Sequence, residues 1–262
     1  YANRFESMGR YVRRLALNSQ TTDLVRWLPE TVIAVFGSPV DPDVAALRPG
    51  QPESVLWLCS EDGHDCRHLH SAAGIVQSSI EWARDGRRLY LLQRTASQQF
   101  PTAELVAIER SHPEPRVLDR GDLTFPIEAP GDGSLYYTRF VDLNTDEREL
   151  LRMDLEEGVR DVVPLPPEAG TLRSFTISPS GRRVLMRDGD GALWLGDAEG
   201  DDWREVTDQG WGAFWLPEGP REFIFFQATG DDASAELIAL RGDTEGRVTE
   251  LARMRPGVGA AL

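Results

Sequence analysis

Cys59 and Cys66 bracket the segment Ser60-Glu61-Asp62-Gly63-His64-Asp65, and His64, Cys66, His68 and His70 alternate along the run that follows. If Asp62-Gly63 forms a two-residue turn, Cys59 lies directly opposite Cys66 on paired strands, a separation that suits a cross-strand disulfide. A disulfide implies an oxidising compartment. The same sulfurs and imidazoles are also zinc-ligand types. Against zinc, there is no Cys-x-x-Cys knuckle, and side chains two apart on one strand diverge too far to converge on a single ion. The expectation is therefore a Cys59–Cys66 disulfide, no metal and no cofactor, with the three histidines on a solvated strand face.

Other chemistry-bearing residues form no constellation. Asp188-Gly189-Asp190-Gly191 has the opening of a calcium loop, but Ala192 stands at the third ligand position and no closing Glu follows, so a hairpin turn is the better reading. There is no Gly-x-Ser-x-Gly elbow and no phosphate-cradling glycine loop. His112 sits in the turn-like Ser111-His112-Pro113. All 28 basic residues are Arg, which excludes lysine Schiff-base chemistry. Among 43 carboxylates no pair is singled out. No catalytic residue is expected. Trp211, between Gly210 and Gly212 in a linker before a strand, is the one candidate for contact with a partner.

Charge and composition narrow the partner. The 262 residues carry a formal charge of −15, which repels phosphate backbones and disfavours nucleic acid. No apolar run approaches the roughly 20 residues that span a bilayer. Residues 1–26 run against the trend, with five Arg against Glu6 and Asp23, a local charge of +3 read as a solvated segment. The sequence opens at Tyr1 with no signal-peptide apolar core, as expected of a mature secreted chain or a piece of a longer one.

The elements that must carry these residues repeat. Short apolar runs ending in Pro/Asp/Gly turns occur at 24–30, 79–86, 126–133, 175–181 and 213–219; the turn glycines Gly86, Gly133, Gly181 and Gly219 are spaced by 47, 48 and 38 residues. Trp27-Leu28-Pro29-Glu30 matches Trp215-Leu216-Pro217-Glu218. Each turn is followed by a second run (31–36, 88–93, 135–140, 183–187, 222–227), a third (54–59, 104–109, 149–154, 192–197, 235–240) and a fourth (66–70, 116–119, 160–165, 205–207, 247–251). Runs of this length, rich in β-branched and aromatic residues and punctuated by Gly, Asp and Pro, are strands. Four strands per 40–50 residues, repeated five times, predict an all-β β-propeller of four-stranded antiparallel blades. We read one propeller over 1–262, with blades 22–70, 75–119, 123–166, 172–209 and 212–254, and an extra strand within 1–20 that completes or precedes a blade. The count is five, or six or more if the chain is a fragment. Trp27, Trp82 and Trp215 fall at equivalent positions, as inter-blade packing residues would.

Ser178-Pro179-Ser180-Gly181-Arg182-Arg183-Val184-Leu185-Met186, with Leu193-Trp194-Leu195-Gly196-Asp197 after it, resembles the TolB-type propeller repeat, as does Trp82-Ala83-Arg84-Asp85-Gly86-Arg87-Arg88-Leu89-Tyr90. The resemblance covers two units well and three loosely, since the Trp27 and Trp215 units carry Pro-Glu in the turn. It implies fold and not activity. The functional expectation is a non-catalytic scaffold in the periplasm or outside the cell, binding a protein or peptide at a channel mouth or on the first-to-second-strand loops. The alternative is the substrate-gating propeller of a prolyl oligopeptidase-like serine peptidase whose catalytic domain is not in this chain.

Overall fold

A computed structural model describes residues 25–27, 32–37, 54–60, 66–72, 74–83, 86–94, 102–112, 114–128, 130, 132–216, 221–229 and 236–254. The 11–17 run and His64 lie outside the described residues, as do the side chains of Trp27, Cys59 and Cys66.

Among the described residues the secondary structure is β-strand, without helix, and twenty strands build five four-stranded sheets. The first sheet is β1 (Val25–Trp27), β2 (Val32–Gly37), β3 (Ser54–Ser60) and β4 (Cys66–Ala72). The second is β5 (Gly74–Trp82), β6 (Arg88–Arg94), β7 (Ala103–Glu109) and β8 (Arg116–Gly121). The third is β9 (Leu123–Glu128), β10 (Ser134–Asp142), β11 (Glu147–Asp154) and β12 (Arg160–Val163). The fourth is β13 (Leu172–Ile177), β14 (Arg183–Asp188), β15 (Leu193–Asp197) and β16 (Arg204–Thr207). The fifth is β17 (Trp211–Trp215), β18 (Glu222–Thr229), β19 (Glu236–Asp243) and β20 (Val248–Met254). In each sheet the strands lie in chain order, so every connection within a sheet is a hairpin. The chain forms two compact units, Tyr1–Ile127 and Glu128–Leu262. The first two sheets belong to the first, and the last two with most of the third to the second.

The hairpins follow from their turns. Gly86 and Gly181 have φ of 66° and 74°, and each donates its N–H back to the carbonyl three residues earlier, on Ala83 and Ser178. A side chain at such a φ is strained, which is why glycine ends both turns.

Packing in the second unit shows what the sheets require of each other. On β14, Val184 and Met186 join a buried cluster with Tyr136 and Leu150 of the third sheet. Leu185, between them, joins Trp215, Phe223 and Phe225 of the fifth. On β15, Trp194 turns toward the third sheet while Leu193 and Leu195 turn toward the fifth. The period-two alternation of a strand therefore buries both faces of the fourth sheet. Each large apolar side chain so buried contributes about 1.5–3 kcal/mol. In the first unit, Leu56, Leu69 and Ala72 of the first sheet pack on Ile80, Trp82, Leu89, Leu91, Val106 and Ile108 of the second. Burial fades outward: every residue of β20 is exposed.

Two local devices fix this packing. Gly242 on β19 lies so close to the Phe223 ring that a Cβ there would stand 2.4 Å from its tip, and Phe223 is itself fully buried against Trp215 and Phe225. The β14–β15 turn is closed by the buried Asp188 carboxylate, which accepts N–H bonds from Trp194 Nε1 (2.9 Å), Ala192 (2.9 Å), Asp190 (3.1 Å) and Gly170 (3.3 Å). Burial alone would raise the Asp188 pKa, but these four donors outweigh it and hold the group below its ordinary 3.8. Asp188-Gly189-Asp190-Gly191 is thus the hairpin turn that its failed calcium pattern implied.

Two predictions follow from these contacts. Gly242→Ala overpacks a closed aromatic cluster and should cost about 1–3 kcal/mol in urea unfolding; an unchanged midpoint would contradict the packing. Because the folded Asp188 is a stronger acid than the unfolded one, its contribution is complete above the unfolded value of about 3.9 and is lost as pH falls through the folded value. Asp188→Asn should lower stability at pH 7 by about 1–3 kcal/mol and flatten the decline between pH 5 and pH 3. A variant that declines in parallel with the wild type would contradict the staple.

Candidate functional site

In the second unit the first strands of the fourth and fifth sheets, β13 and β17, belong to separate ladders. The two sheets are tied at two points. Arg187 Nε donates to the Gly210 carbonyl at 2.7 Å, and Trp215 Nε1 donates to the Thr176 carbonyl at 3.2 Å. Between the ties lies a trough of about 240 Å³ lined by Ser174, Thr176, Arg187, Trp211, Gly212 and Ala213, with Phe175, Leu185 and Leu193 beneath. The three lower residues are buried, so the trough has an apolar bottom and a polar side.

Trp211 is not in a linker: it is the first residue of β17 and pairs with Phe226 across the ladder. The register shifts between Trp211 and Phe214, where Gly212 adopts φ of 60°. A bulge opened by a left-handed glycine lets the strand run on through what reads as a flexible Gly-Trp-Gly. It also turns the aromatics outward. Trp211 is 45% exposed and Phe214 44%, and both lean on Phe226, with ring centroids 5.2 Å and 6.4 Å from it. The buried members of the tryptophan set behave differently. Trp82 lies in the packing between the first two sheets and Trp215 in that between the last two.

The cysteine and histidine residues divide. The β3–β4 register makes Cys59 and Cys66 Cα partners. Of the histidines expected on one solvated face, His68 and His70 are described, and they do not share it. The register shifts between Leu56 and Trp57, where three β4 residues from His68 to His70 oppose two on β3, and this breaks the alternation. His68 is exposed beside Ser71, whereas His70 is buried and bonded through Nε2 to Gln93 Oε1 at 2.6 Å. Gln93 Nε2 donates to Glu104 Oε2 at 3.0 Å, and Arg120 Nε donates to Glu104 Oε1 at 2.9 Å. Because the Gln93 amide nitrogen faces a carboxylate, its oxygen faces His70, and His70 must carry its proton on Nε2. This chain joins β4 to β6, β7 and β8 and was not visible in the sequence. His112 lies in an exposed turn, with its Nδ1 at 3.0 Å from Ser111 Oγ.

Two further polar sites offer no evident chemistry. Burial pushes the Tyr136 phenol up to about 12, which makes it a poor proton acceptor near neutrality. A surface hollow of about 270 Å³ on the fifth sheet is lined by Glu222, Arg241, Asp243 and Arg247, whose charges pair among themselves. Among the described residues no group of three or more His, Cys, Asp or Glu is placed to hold a metal ion. No described helix is long and apolar enough to cross a membrane.

No protein-family model and no curated protein matches the sequence. Solved structures do match. An oligogalacturonate lyase in complex with manganese aligns over 86% of this chain and 62% of its own, at 15% identity and a TM-score of 0.66. One of two prolyl endopeptidases analysed for inter-domain dynamics aligns over 94% of this chain but 38% of its own, at 14% identity and 0.61. The β-propeller domain of the Trilobed protease from Pyrococcus furiosus, described as having an open velcro topology, aligns over 88% and 69%, at 13% identity and 0.58. This chain thus spans less than two thirds of the lyase and little over a third of the endopeptidase. At these identities the likeness is one of fold, and the fold is the β-propeller that the repeats predict.

Proposed function

We propose that this chain is a non-catalytic binding module that takes a protein or peptide partner along the trough between β13 and β17. The observation that carries the reading is the exposed aromatic Trp211, set at the edge of an apolar-bottomed opening, with the exposed Phe214 packed near it on Phe226. Exposed large aromatics beside a concave surface are the residues on which association energy concentrates. The substrate-gating reading is kept by one observation, the match of nearly the whole chain to little over a third of a prolyl endopeptidase. A reading frame that continues into an α/β segment bearing a serine elbow would favour it.

The proposed compartment is periplasmic or extracellular, and rests on a Cys59–Cys66 disulfide. Their position as Cα partners on neighbouring strands supports that bond.

Affinity capture from the source organism, with wild-type and Trp211→Ala chains read side by side by mass spectrometry, tests the docking site. A companion should be held by the wild type and lost at least tenfold by the variant, the cost expected of truncating an interface aromatic. Equal recovery with both chains would remove the trough from the reading. For the compartment, alkylation of the denatured, unreduced protein should add no label, and two labels should appear after reduction. Labelling of both cysteines without reduction would withdraw the oxidising compartment.

A further inference from the structure

The net charge makes one residue of the trough unusual. With 43 carboxylates against 28 arginines, a partner for any arginine is easy to supply. Along the sheets most of the described arginines have one: Arg88 with Glu109, Arg120 with Glu104, Arg148 with Asp146, Arg241 with Glu222, Arg253 with Glu250. Arg187 does not. Its Nε donates to the Gly210 carbonyl, and among the described residues its guanidinium meets no carboxylate. It is half-buried and lines the trough. A guanidinium that is partly out of water and lacks an anion is poorly compensated.

The same contact gives the group direction. The Nε bond to Gly210 fixes the plane of the fork, leaving its two terminal nitrogens for a ligand, and a planar fork matches a carboxylate with two parallel bonds. Gly210 directly precedes Trp211, so one hydrogen bond positions both the charged anchor and the aromatic platform. Ser174, exposed and paired in register with Arg187, places a hydroxyl beside the fork. The bottom, Phe175, Leu185 and Leu193, accepts an aliphatic group, and about 240 Å³ holds one or two side chains rather than a large rigid ligand.

We infer that the trough is a carboxylate-binding site for peptides, in which Arg187 holds the carboxylate and Trp211 covers the neighbouring apolar residue. This rests on the peptide-docking reading above and adds what that peptide must carry. The carboxylate is supplied by a peptide C-terminus or by an Asp or Glu side chain, which present the same chemistry to the fork.

The test uses the full chain and three random octapeptide mixtures: free C-termini without Asp or Glu, amide-capped with Asp and Glu, and amide-capped without either. Binding is read as retention on the immobilised chain and as the shift of the Trp211 indole ¹⁵N signal, identified with Trp211→Phe. At least one carboxylate-bearing mixture should be retained and move the Trp211 signal, and the uncharged mixture should do neither. Arg187→Gln should reduce retention by about tenfold or more, as loss of a charge-assisted pair does, with its melting temperature reported alongside. If that variant does not fold, the comparison of mixtures on the wild type decides alone. Equal retention of the uncharged mixture would overturn the carboxylate anchor and leave peptide docking standing. No response of Trp211 to any mixture would overturn both. A response to glucuronate with every peptide inert would also overturn the proposal, replacing the peptide by an acidic sugar.

Discussion

A four-stranded sheet made of alternating apolar side chains has two faces to hide and no means of hiding either alone. This constraint explains more of the molecule than any single bond. The fourth sheet shows it most fully: consecutive residues of β14 point into different neighbours, and Trp194 and Leu195 of β15 do the same. A sheet in that position has no solvent side, so its middle strands lose the polar alternation of a half-exposed strand and are apolar through their centres, Val184–Met186 and Leu193–Leu195. Its outer strand β16, of which only Val206 packs on the neighbouring cluster, recovers polar residues, and β20 is exposed along its whole length.

Stacking fixes contact but not register, and register is supplied by directional bonds. Indole N–H groups serve here twice: Trp215 reaches the Thr176 carbonyl of the neighbouring sheet, and Trp203 reaches the Pro164 carbonyl at 3.0 Å. In the first unit, the His70–Gln93–Glu104–Arg120 chain lies at one end of an otherwise apolar interface. Buried groups that must all be satisfied at once define one alignment of two surfaces better than interchangeable methyl groups do.

The fold was legible because its signals are local and recur. The second, third and fourth runs of each repeat coincide with observed strands to within a few residues, and the turn glycines Gly86 and Gly181 carry the positive φ that their spacing suggests. What escaped reading depends on register. His68 and His70 look equivalent at a spacing of two, but a bulge sends one to solvent and the other into an interface. Gly210-Trp211-Gly212 looks like a linker, yet Gly212 serves as a bulge residue and Trp211 belongs to the strand. Arg187 reads as the polar end of a run; that it lacks a carboxylate is a property of side-chain positions in space.

The site follows from the same constraint. Packed face to face, the fourth and fifth sheets leave a gap beside their first strands, and the gap takes its character from the few residues that line it. The central physical claim is that both faces of the fourth sheet are sealed by its neighbours, and native-state hydrogen exchange measures this directly. The amides of Leu185, Met186, Trp194 and Leu195 should exchange only through global unfolding, while those of β16 and β20 exchange by local opening. Exchange from β14 and β15 as rapid as from β20 would show that the sheets do not hold one another closed, and the account would fail.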